Sequence, residues 1–524
     1  MPGDDMLKRV VIAGGGTAGW LCACYLARVL NANAADAIEI ELVESPEIGI
    51  LGVGEGTFPS IRGTLAQIGI SEAHFIQATG ATFKQGIRFV DWVRPAGAVG
   101  ANHYFHPFNS PSARVDGLDL VPYWLLGDAG PEHSLADAVT LQKRIADAGR
   151  GPKRVGDADF QGPMNYAYHF DAARFAALLS ETGRALGVKH RLAEIERVEL
   201  GEQGGIHALH TREGLCLQAD LYVDCTGLRA RLIGEALGEA LQPLRDVLFV
   251  DRAVAMQIPY PRPDAPLPSY TISTAHTAGW TWDIALQARR GLGYVYSSRH
   301  SSSEQAEQLL RTHAGPQGER LPVRHLSFET GYRRQQWKHN CVAIGLSAGF
   351  LEPLESTGIG LIEIATYLLT HLLPDSGDQT RAASHFNRMM NERYARIIDF
   401  IKLHYCLSQR RDSSFWVDNS DSTSVPSSLQ DRLAEWRLRP PHRLDFVTDL
   451  EMFMPASWQF VLYGMEFKTD LRRQAGRYPE RAAARREFEM LRQVSQHALH
   501  NLPDHRALLG TYLAAPTQPR YAAR

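Results

Sequence analysis

Arg9-Val-Val-Ile-Ala13 runs directly into Gly14-Gly-Gly-Thr-Ala-Gly19, after which the chain reads as a helix from about Ala18 to Leu30 and then as a second strand, Ile38-Glu-Ile-Glu-Leu-Val43, closed by Glu44. A short apolar run, a glycine turn, a helical stretch and another apolar run make a βαβ unit, so an α/β fold is expected. Gly14-x-Gly16-x-x-Gly19 lies between strand and helix, with an acid about 25 residues further on, which is the context the dinucleotide fingerprint requires. The glycines let backbone N–H groups, with those of Thr17 and Ala18 at the helix start, approach a pyrophosphate, and Glu44 is suited to accept from a ribose diol. The fingerprint alone does not separate NAD from FAD. The run Val10–Ala27 is uncharged and follows Lys8-Arg9, as in a signal peptide, but its four glycines weaken any apolar helix and each has a use in the turn.

Outward from this unit, Leu221-Tyr-Val-Asp224 and Cys341-Val-Ala-Ile344 read as further buried strands, each ending in a glycine-bearing turn, Thr226-Gly227 and Gly345. Turns at Asp224-Cys-Thr-Gly227 and Gly345-Leu-Ser-Ala-Gly349 suit a flavin groove, and no second Gly-x-Gly-x-x-Gly is available for a nicotinamide cofactor. A single-site flavoprotein supplied with reduced flavin from elsewhere follows. Residues 92–165, rich in Gly, Pro, His and aromatics, read as an irregular insertion. From about residue 360 the pattern turns helical (Leu361–Leu369, Phe386–Leu403, Arg472–Arg492), with a Ser/Asp-rich loop at 418–428. The arginine-bearing last stretch reads as a solvated helix face rather than a membrane-facing one. The expected architecture is a discontinuous, flavin-monooxygenase-like (Rossmann-type) FAD module over 1–375 and a mostly helical substrate-binding module over 376–524.

The 524 residues allow roughly three to four packing units at about 150 residues each. With 55 basic and 58 acidic side chains the net charge is −3, and 44% of residues are hydrophobic, which argues against a dedicated nucleic-acid binder, a disordered chain and a halophile-like acidic surface. Six scattered cysteines, with no C-x-x-C pair, fit a reducing cytoplasm better than a disulfide scaffold. His103 and His106 without a third nearby ligand do not make a metal site, and none is expected.

Gly345-x-Ser347-x-Gly349 also spells a nucleophile elbow, with His385 and His404 downstream, yet a hydrolase leaves the N-terminal fingerprint unexplained. The densest segment is Phe350-Leu-Glu-Pro-Leu-Glu-Ser-Thr-Gly358, just before a helix that starts near Ile359. Ser356 or Thr357 is a natural N-cap there. Free N–H groups at this helix start suit a small anion, and Glu355 stands one residue outside it. Plain helix capping is the simpler alternative if the segment is taken alone.

Five segments in the same order, Gly14-Gly-Gly-Thr-Ala-Gly-Trp20, Gly52-Val-Gly54-Glu-Gly-Thr57, Thr82-Phe-Lys84, Trp280-x-Trp282-x-Ile284 and Phe350-x-x-Pro353-x-x-Ser356-x-Gly358, resemble those of the flavin-dependent halogenases, in the tryptophan-halogenase-like branch. The resemblance extends to at least Tyr463. It departs at Ala285, where the family carries proline after the Trp-x-Trp-x-Ile doublet that is thought to discourage hydroxylation. What it implies is a regioselective halogenation of an electron-rich aromatic, using FADH2, O2 and chloride or bromide. A separate NADH-dependent flavin reductase supplies the reduced flavin, and a homodimer is an assembly it allows.

In this resemblance Gly14, Gly16, Thr17, Ala18, Gly19, Glu44, Gly54, Asp224, Gly227 and Gly345 hold FAD, and Thr357 and Gly358 hold the halide. Lys84 receives the hypohalous acid, by hydrogen bond or as a haloamine. Glu355 polarises the oxidant or accepts the ring proton. An electrophilic halogen needs a donor that holds it without quenching it, and burial of a lysine leaves a more nucleophilic amine. His103 and Phe105, in His103-Tyr-Phe-His-Pro-Phe108, match the residues that grip the indole. Where free-tryptophan enzymes carry Asn-Tyr-Tyr this chain reads Ser457-Trp-Gln-Phe-Val-Leu-Tyr-Gly464, so Trp458 and Phe460 supply ring surface or plain core, and indole-like or larger aromatics are expected over free tryptophan. Two other readings share the fold: a hydroxylating FAD monooxygenase, and a non-catalytic flavin-binding or carrier-docking protein.

Overall fold

The computed structural model describes residues 7–31, 37–47, 54–100, 102–111, 118–131, 133–374 and 378–516. Gly52 and Val53 of the second motif lie outside them. Alternation of buried residues in Arg9–Ala13 and Glu39–Glu44 is absent; both runs are buried nearly throughout, as strands covered on both faces must be. They form the centre of a six-stranded sheet in the order Trp337–Lys338, Cys341–Ala343, Leu221–Asp224, Arg9–Ala13, Glu39–Glu44, Lys189–Leu192. All pairs are parallel except the outer Trp337–Lys338 hairpin. The chain leaves Arg9–Ala13 toward one side through the helix Thr17–Leu30 and returns to its other side at Leu221–Asp224. A topological switch point therefore opens beyond Ala13, where a doubly wound sheet binds its ligand.

A seven-stranded sheet, absent from the sequence expectation, stands beside it. Its order is Arg324–Ser327, Arg252–Pro259, Arg289–Tyr296, Gly279–Ala285, Thr271–His276, Gly86–Val90, His103–Pro107. Neighbours run antiparallel except Thr271–His276 beside Gly86–Val90. A third, small sheet joins Gly54–Gly56, Ala167–Asp171 and Thr82–Lys84. The chain passes from this small sheet to the large one at Gln85, whose N–H donates to Ser269 O at 2.6 Å. Lys84 is thus the last residue of a strand in one sheet, two residues before the first strand residue, Gly86, of another.

The helix Thr357–Leu372 begins at the Phe350–Gly358 segment and packs on Thr17–Leu30; the 27-residue helix Thr380–Cys406 follows. The sequence expectation of helices at 361–369 and 386–403 is extended by these bounds, and the 418–428 loop contains the helix ends of Ser414–Ser420 and Ser427–Trp436. Residues 92–165 are irregular only in part: His103–Pro107 is a strand, and Leu120–Leu125, Leu135–Val139 and Gln142–Asp147 are short helices whose apolar residues enter the main core. That same core takes in Leu369, Phe386, Phe400 and Trp458, so apolar packing continues from one side of residue 375 to the other. Arg472–Arg492 divides into a 3-10 turn, Arg472–Arg477, and the helix Arg481–Asn501, whose Arg481 and Arg485 pair with Asp128 while Ala484, Phe488 and Leu491 face the core. Among the described residues no helix is long and apolar enough to cross a membrane.

Candidate active site

The crevice at the end of Arg9–Ala13 fits a dinucleotide. Gly14 has φ +110°, and a Cβ there would collide with the Cys225 carbonyl, so the turn closes on the neighbouring strand end only with glycine. At Gly16, by contrast, a Cβ would meet nothing within 4 Å. Gly16 is also the N-cap of Thr17–Leu30, with no side-chain capping bond and no acid in the first turn, so the helix offers its free N–H groups to an anion. The Glu44 carboxylate lies across Gly15 and accepts from His190 Nε2 at 2.7 Å. Gly227 borders open space and Gly345, φ +79°, packs on Ala18, which brings the three glycine turns to one edge of the sheet. Gly54 packs on Ile284, joining the second motif to the Trp280-x-Trp282-x-Ile284 strand.

Asp224 is a correction. Its carboxylate is buried and accepts from Thr226 N and Oγ1 and from Leu232 N and Ile233 N, at 2.6 to 2.9 Å. Four donors use up its lone pairs on the turn it caps, which leaves it a structural residue of the crevice and not a cofactor ligand. Ser347 is similarly spent: its hydroxyl is buried and donates to the carbonyls of Asp224 and Ile344, and His404 is bound elsewhere, so the hydrolase constellation is not assembled.

Lys84 and Glu355 come together from distant parts of the chain. Lys84 is fully buried; Nζ donates to Ser356 Oγ at 2.9 Å and Thr57 O at 3.3 Å, and stands 5.4 Å from the Phe108 ring centre. Burial pulls its pKa down to about 7, against the opposing pull of Glu355. Ser356 reaches it because residue 356 is left-handed, φ 59°. The Ser356 side chain makes no capping bond to its own helix and faces Lys84 instead. Strain of this kind in a non-glycine residue costs about 1–3 kcal/mol and collects at functional sites.

Glu355 is also buried, yet its pKa is held down at about 2: burial pushes it up, and the charge and hydrogen bond of His106 with the hydrogen bond of His404 outweigh that. His106 Nδ1 donates to both oxygens, at 3.0 and 3.1 Å. His404 Nε2 lies 2.9 Å from Oε1, close but off the straight N–H···O line. Next along the helix, Thr357 is buried with its Oγ1 unpartnered, and a Cβ on exposed Gly358 would meet nothing within 4 Å. The start of a 16-residue helix, an unsatisfied hydroxyl and open space beside Gly358 make room for a small anion.

The strand His103–Pro107 corrects another expectation. Side chains alternate across a sheet, so Tyr104 and His106 face Glu355 and His404, whereas His103 and Phe105 take the other side. His103 is exposed and Phe105 packs on Tyr270 at 5.7 Å. His-x-Phe occurs twice in His103-Tyr-Phe-His-Pro-Phe108, and the second copy, His106 and Phe108, is the one beside Glu355 and Lys84. The opposite-face positions of His103 and His106 also remove the paired-histidine metal reading; among the described residues no metal-ligand cluster is found. Trp458 and Phe460 are buried in the helix Pro455–Gly464. Trp458 donates to Phe453 O and packs on Phe400 at 4.9 Å. A cluster of rings lies beside Lys84 and His106: Phe58 meets Phe108 at 6.3 Å and Phe453 at 5.4 Å, and Phe453 stacks on Phe400 at 3.8 Å.

Sequence reasoning missed one more link. Trp280 Nε1 and Tyr405 Oη both donate to Oε2 of Glu352, at 3.0 and 2.7 Å, tying the tryptophan doublet to the Phe350–Gly358 segment. Glu352 is buried and pushed up to about 7, chiefly by that burial. The signal for it was present in Glu352-Pro-Leu-Glu355, two acids three residues apart.

Comparison with known proteins decides what this arrangement is. The tryptophan halogenase family signature matches residues 9–479. The chain belongs to the tryptophan halogenase family. It is 35% identical over 514 residues to the tryptophan 6-halogenase SttH of Streptomyces toxytricini, covering 94% of this chain and 96% of that protein. Among solved structures, the tryptophan halogenase of Shewanella frigidimarina NCIMB 400 superposes with a TM-score of 0.93 at 38% identity, over 97% of this chain and 98% of that one. BrvH, a flavin-dependent halogenase from Brevundimonas sp. BAL3, does so at 0.86 and 36%, over 97% and 100%. This halogenase is therefore an FADH2-dependent enzyme of the flavin-monooxygenase-like fold, and its glycine-edged crevice is where FAD fits.

Proposed function

We propose that this halogenase installs chloride or bromide on an electron-rich, indole-type ring, with Lys84 carrying the halogen and Glu355 facing the ring. Bound reduced FAD supplies, with O2, the oxidising power that converts halide to hypohalous acid. Thr357 and Gly358 hold the halide at the helix start. The neutral amine of Lys84 takes the halogen from hypohalous acid and releases water; the ring carbon then takes it, the N–halogen bond breaks, and the ring proton passes to Glu355 and from there to the amine, which restores both groups. Ser356 Oγ and Thr57 O orient the amine, and the ionised Glu355 stabilises the cationic ring before it loses its proton. His106 and Phe108 flank the ring.

The observation that carries this reading is the buried, near-neutral Lys84 amine, hydrogen-bonded to the residue next to an ionised, histidine-held Glu355. For substrate choice the support is the helix Pro455–Gly464, where Gln459 donates to Pro441 O and Tyr463 bonds Thr469, leaving the expected amino-acid grip unprovided. A flavin reductase using NADH feeds the enzyme, and the cytoplasm is its compartment. With reductase, FAD and bromide, product mass should show bromine on indole, and free tryptophan should be turned over at least about tenfold less efficiently, as expected when a site lacks the polar grip a substrate needs. Oxygen incorporation alone would favour a hydroxylase, and comparable turnover of the two substrates would remove the substrate assignment.

A further inference from the structure

Behind Glu355 stands a chain of close polar contacts that the halogen transfer does not itself require. Tyr104 Oη lies 2.6 Å from His404 Nδ1, and His404 Nε2 lies 2.9 Å from Glu355 Oε1. Tyr104 is fixed by stacking on Phe89, 4.7 Å between centres and 8° between planes. The His404 imidazole is walled by Phe89, Trp92 and Phe400, at 4.6, 5.9 and 5.5 Å. We propose that Tyr104 and His404 are positioning residues for Glu355: the Tyr104 hydroxyl donates to His404 Nδ1, which fixes the one ring proton on Nε2, facing the carboxylate.

The argument is one of proton inventory. A neutral imidazole carries one N–H and one lone pair, and its partners decide which nitrogen has which. A proton on Nδ1 would leave the Nε2 lone pair 2.9 Å from an ionised carboxylate oxygen, which is repulsive, and would leave the phenol to find another acceptor among aromatic rings. A proton on Nε2 turns the N–H toward the carboxylate and leaves the Nδ1 lone pair to accept from the phenol. Burial keeps His404 below its ordinary value although Glu355 pulls it up, and burial with the Glu355 charge keeps the Tyr104 phenol well above its own, so each holds one proton over the working range. The titratable groups that act on Glu355 are His106 and Tyr104 from the His103–Pro107 strand, His404 from the Thr380–Cys406 helix and Lys84 from its sheet end. His106 already fixes the carboxylate in one direction; His404 fixes it in a second, so that the plane of Glu355, and not only its charge, is set toward the ring.

The inference rests on Glu355 acting at the ring in the proposed halogenation, but the tautomer can be read without any turnover. In the full chain labelled with 15N-histidine, long-range proton–nitrogen correlations should give His404, identified by its loss in His404→Gln, a lone-pair Nδ1 and a protonated Nε2. In Tyr104→Phe, which keeps the stacked ring, Glu355 still disfavours a proton on Nδ1, but the Nδ1 lone pair loses its donor and its nitrogen resonance should move toward that of a free imidazole lone pair. Turnover of the bromination substrate should then fall about tenfold, the size of one lost hydrogen bond to a charged site, with KM within about twofold. His404→Gln keeps an N–H donor, so adding Tyr104→Phe to it should cost nothing more. A wild-type His404 protonated on Nδ1, an unmoved Nδ1 resonance in Tyr104→Phe, or independent losses in the double variant would overturn the proposal. The wild-type spectrum decides the tautomer even if Tyr104→Phe does not fold, and absence of halogenation with the expected tautomer would fault the functional reading alone.

Discussion

Lys84 and Ser356 show how much chemistry depends on single buried atoms. An exposed lysine is protonated at neutral pH and cannot accept an electrophile; burial with only a hydroxyl and a carbonyl as partners brings the Lys84 pKa to about 7 from an ordinary 10.5. The sign of the pH dependence follows. Below about 7 the amine is protonated and above it neutral, so single-turnover halogen transfer should rise with pH through about 7 and then level. Glu355, at about 2, stays ionised throughout and adds no limb to that profile. Stability carries the same signature: between about 7 and 10.5 the unfolded chain binds the proton the folded chain releases at Lys84, so this residue contributes a gain in folding with rising pH in that window, and Lys84→Met should remove that share. Ser356 separates strain from function. Ser356→Gly relieves the left-handed strain but deletes the hydroxyl, so thermal stability should hold or rise by up to about 1 kcal/mol while bromination falls about tenfold or more. A parallel loss of stability and activity would mean that the residue is structural only.

At the scale of strands and helices, the strand His103–Pro107 makes the sharpest test. His106→Ala removes the donor that holds both Glu355 oxygens and should cost about a hundredfold in turnover, whereas His103→Ala, on the exposed face, should leave turnover within about twofold. Equal effects in steady-state assays would reverse the face assignment. The same strand marks the limit of what sequence reveals. The βαβ unit was legible to within a residue or two because apolar runs and glycines are local signals: Arg9–Ala13 and Leu221–Asp224 have the expected bounds. Lys84, Glu355 and the Thr357–Gly358 helix start were legible because they fall in spaced motifs. The His-x-Phe copy that lies beside Glu355 and Lys84 was not, because His-x-Phe occurs twice within six residues and only strand pairing tells which copy faces them. His404 and Tyr405 carry no local signal at all; a 27-residue helix delivers them to Glu355 and Glu352 through tertiary packing. Asp224 has a local signal that sequence misassigns, since an acid at a strand end can serve the turn as readily as a ligand.

Over the whole molecule, the two functional regions are built on different sheets. The six-stranded parallel sheet presents the glycine crevice at its switch point, and the small and seven-stranded sheets present Lys84 and His106; the Phe350–Gly358 segment, linked to Trp280 through Glu352, connects them. One apolar core spans the FAD-binding and helical parts, and a residue as late as His404 is buried as completely as Lys84. Such a frame allows oxidant to be made in one place and spent in another. The decisive measurement is Lys84→Met in the purified protein with reductase, FAD, bromide and indole, following flavin reoxidation and bromoindole together. Reoxidation should continue at its wild-type rate while bromoindole falls by at least about a hundredfold, because the amine that carries the halogen is gone; bromoindole formed at a rate within about twofold of wild type would contradict the role assigned to Lys84.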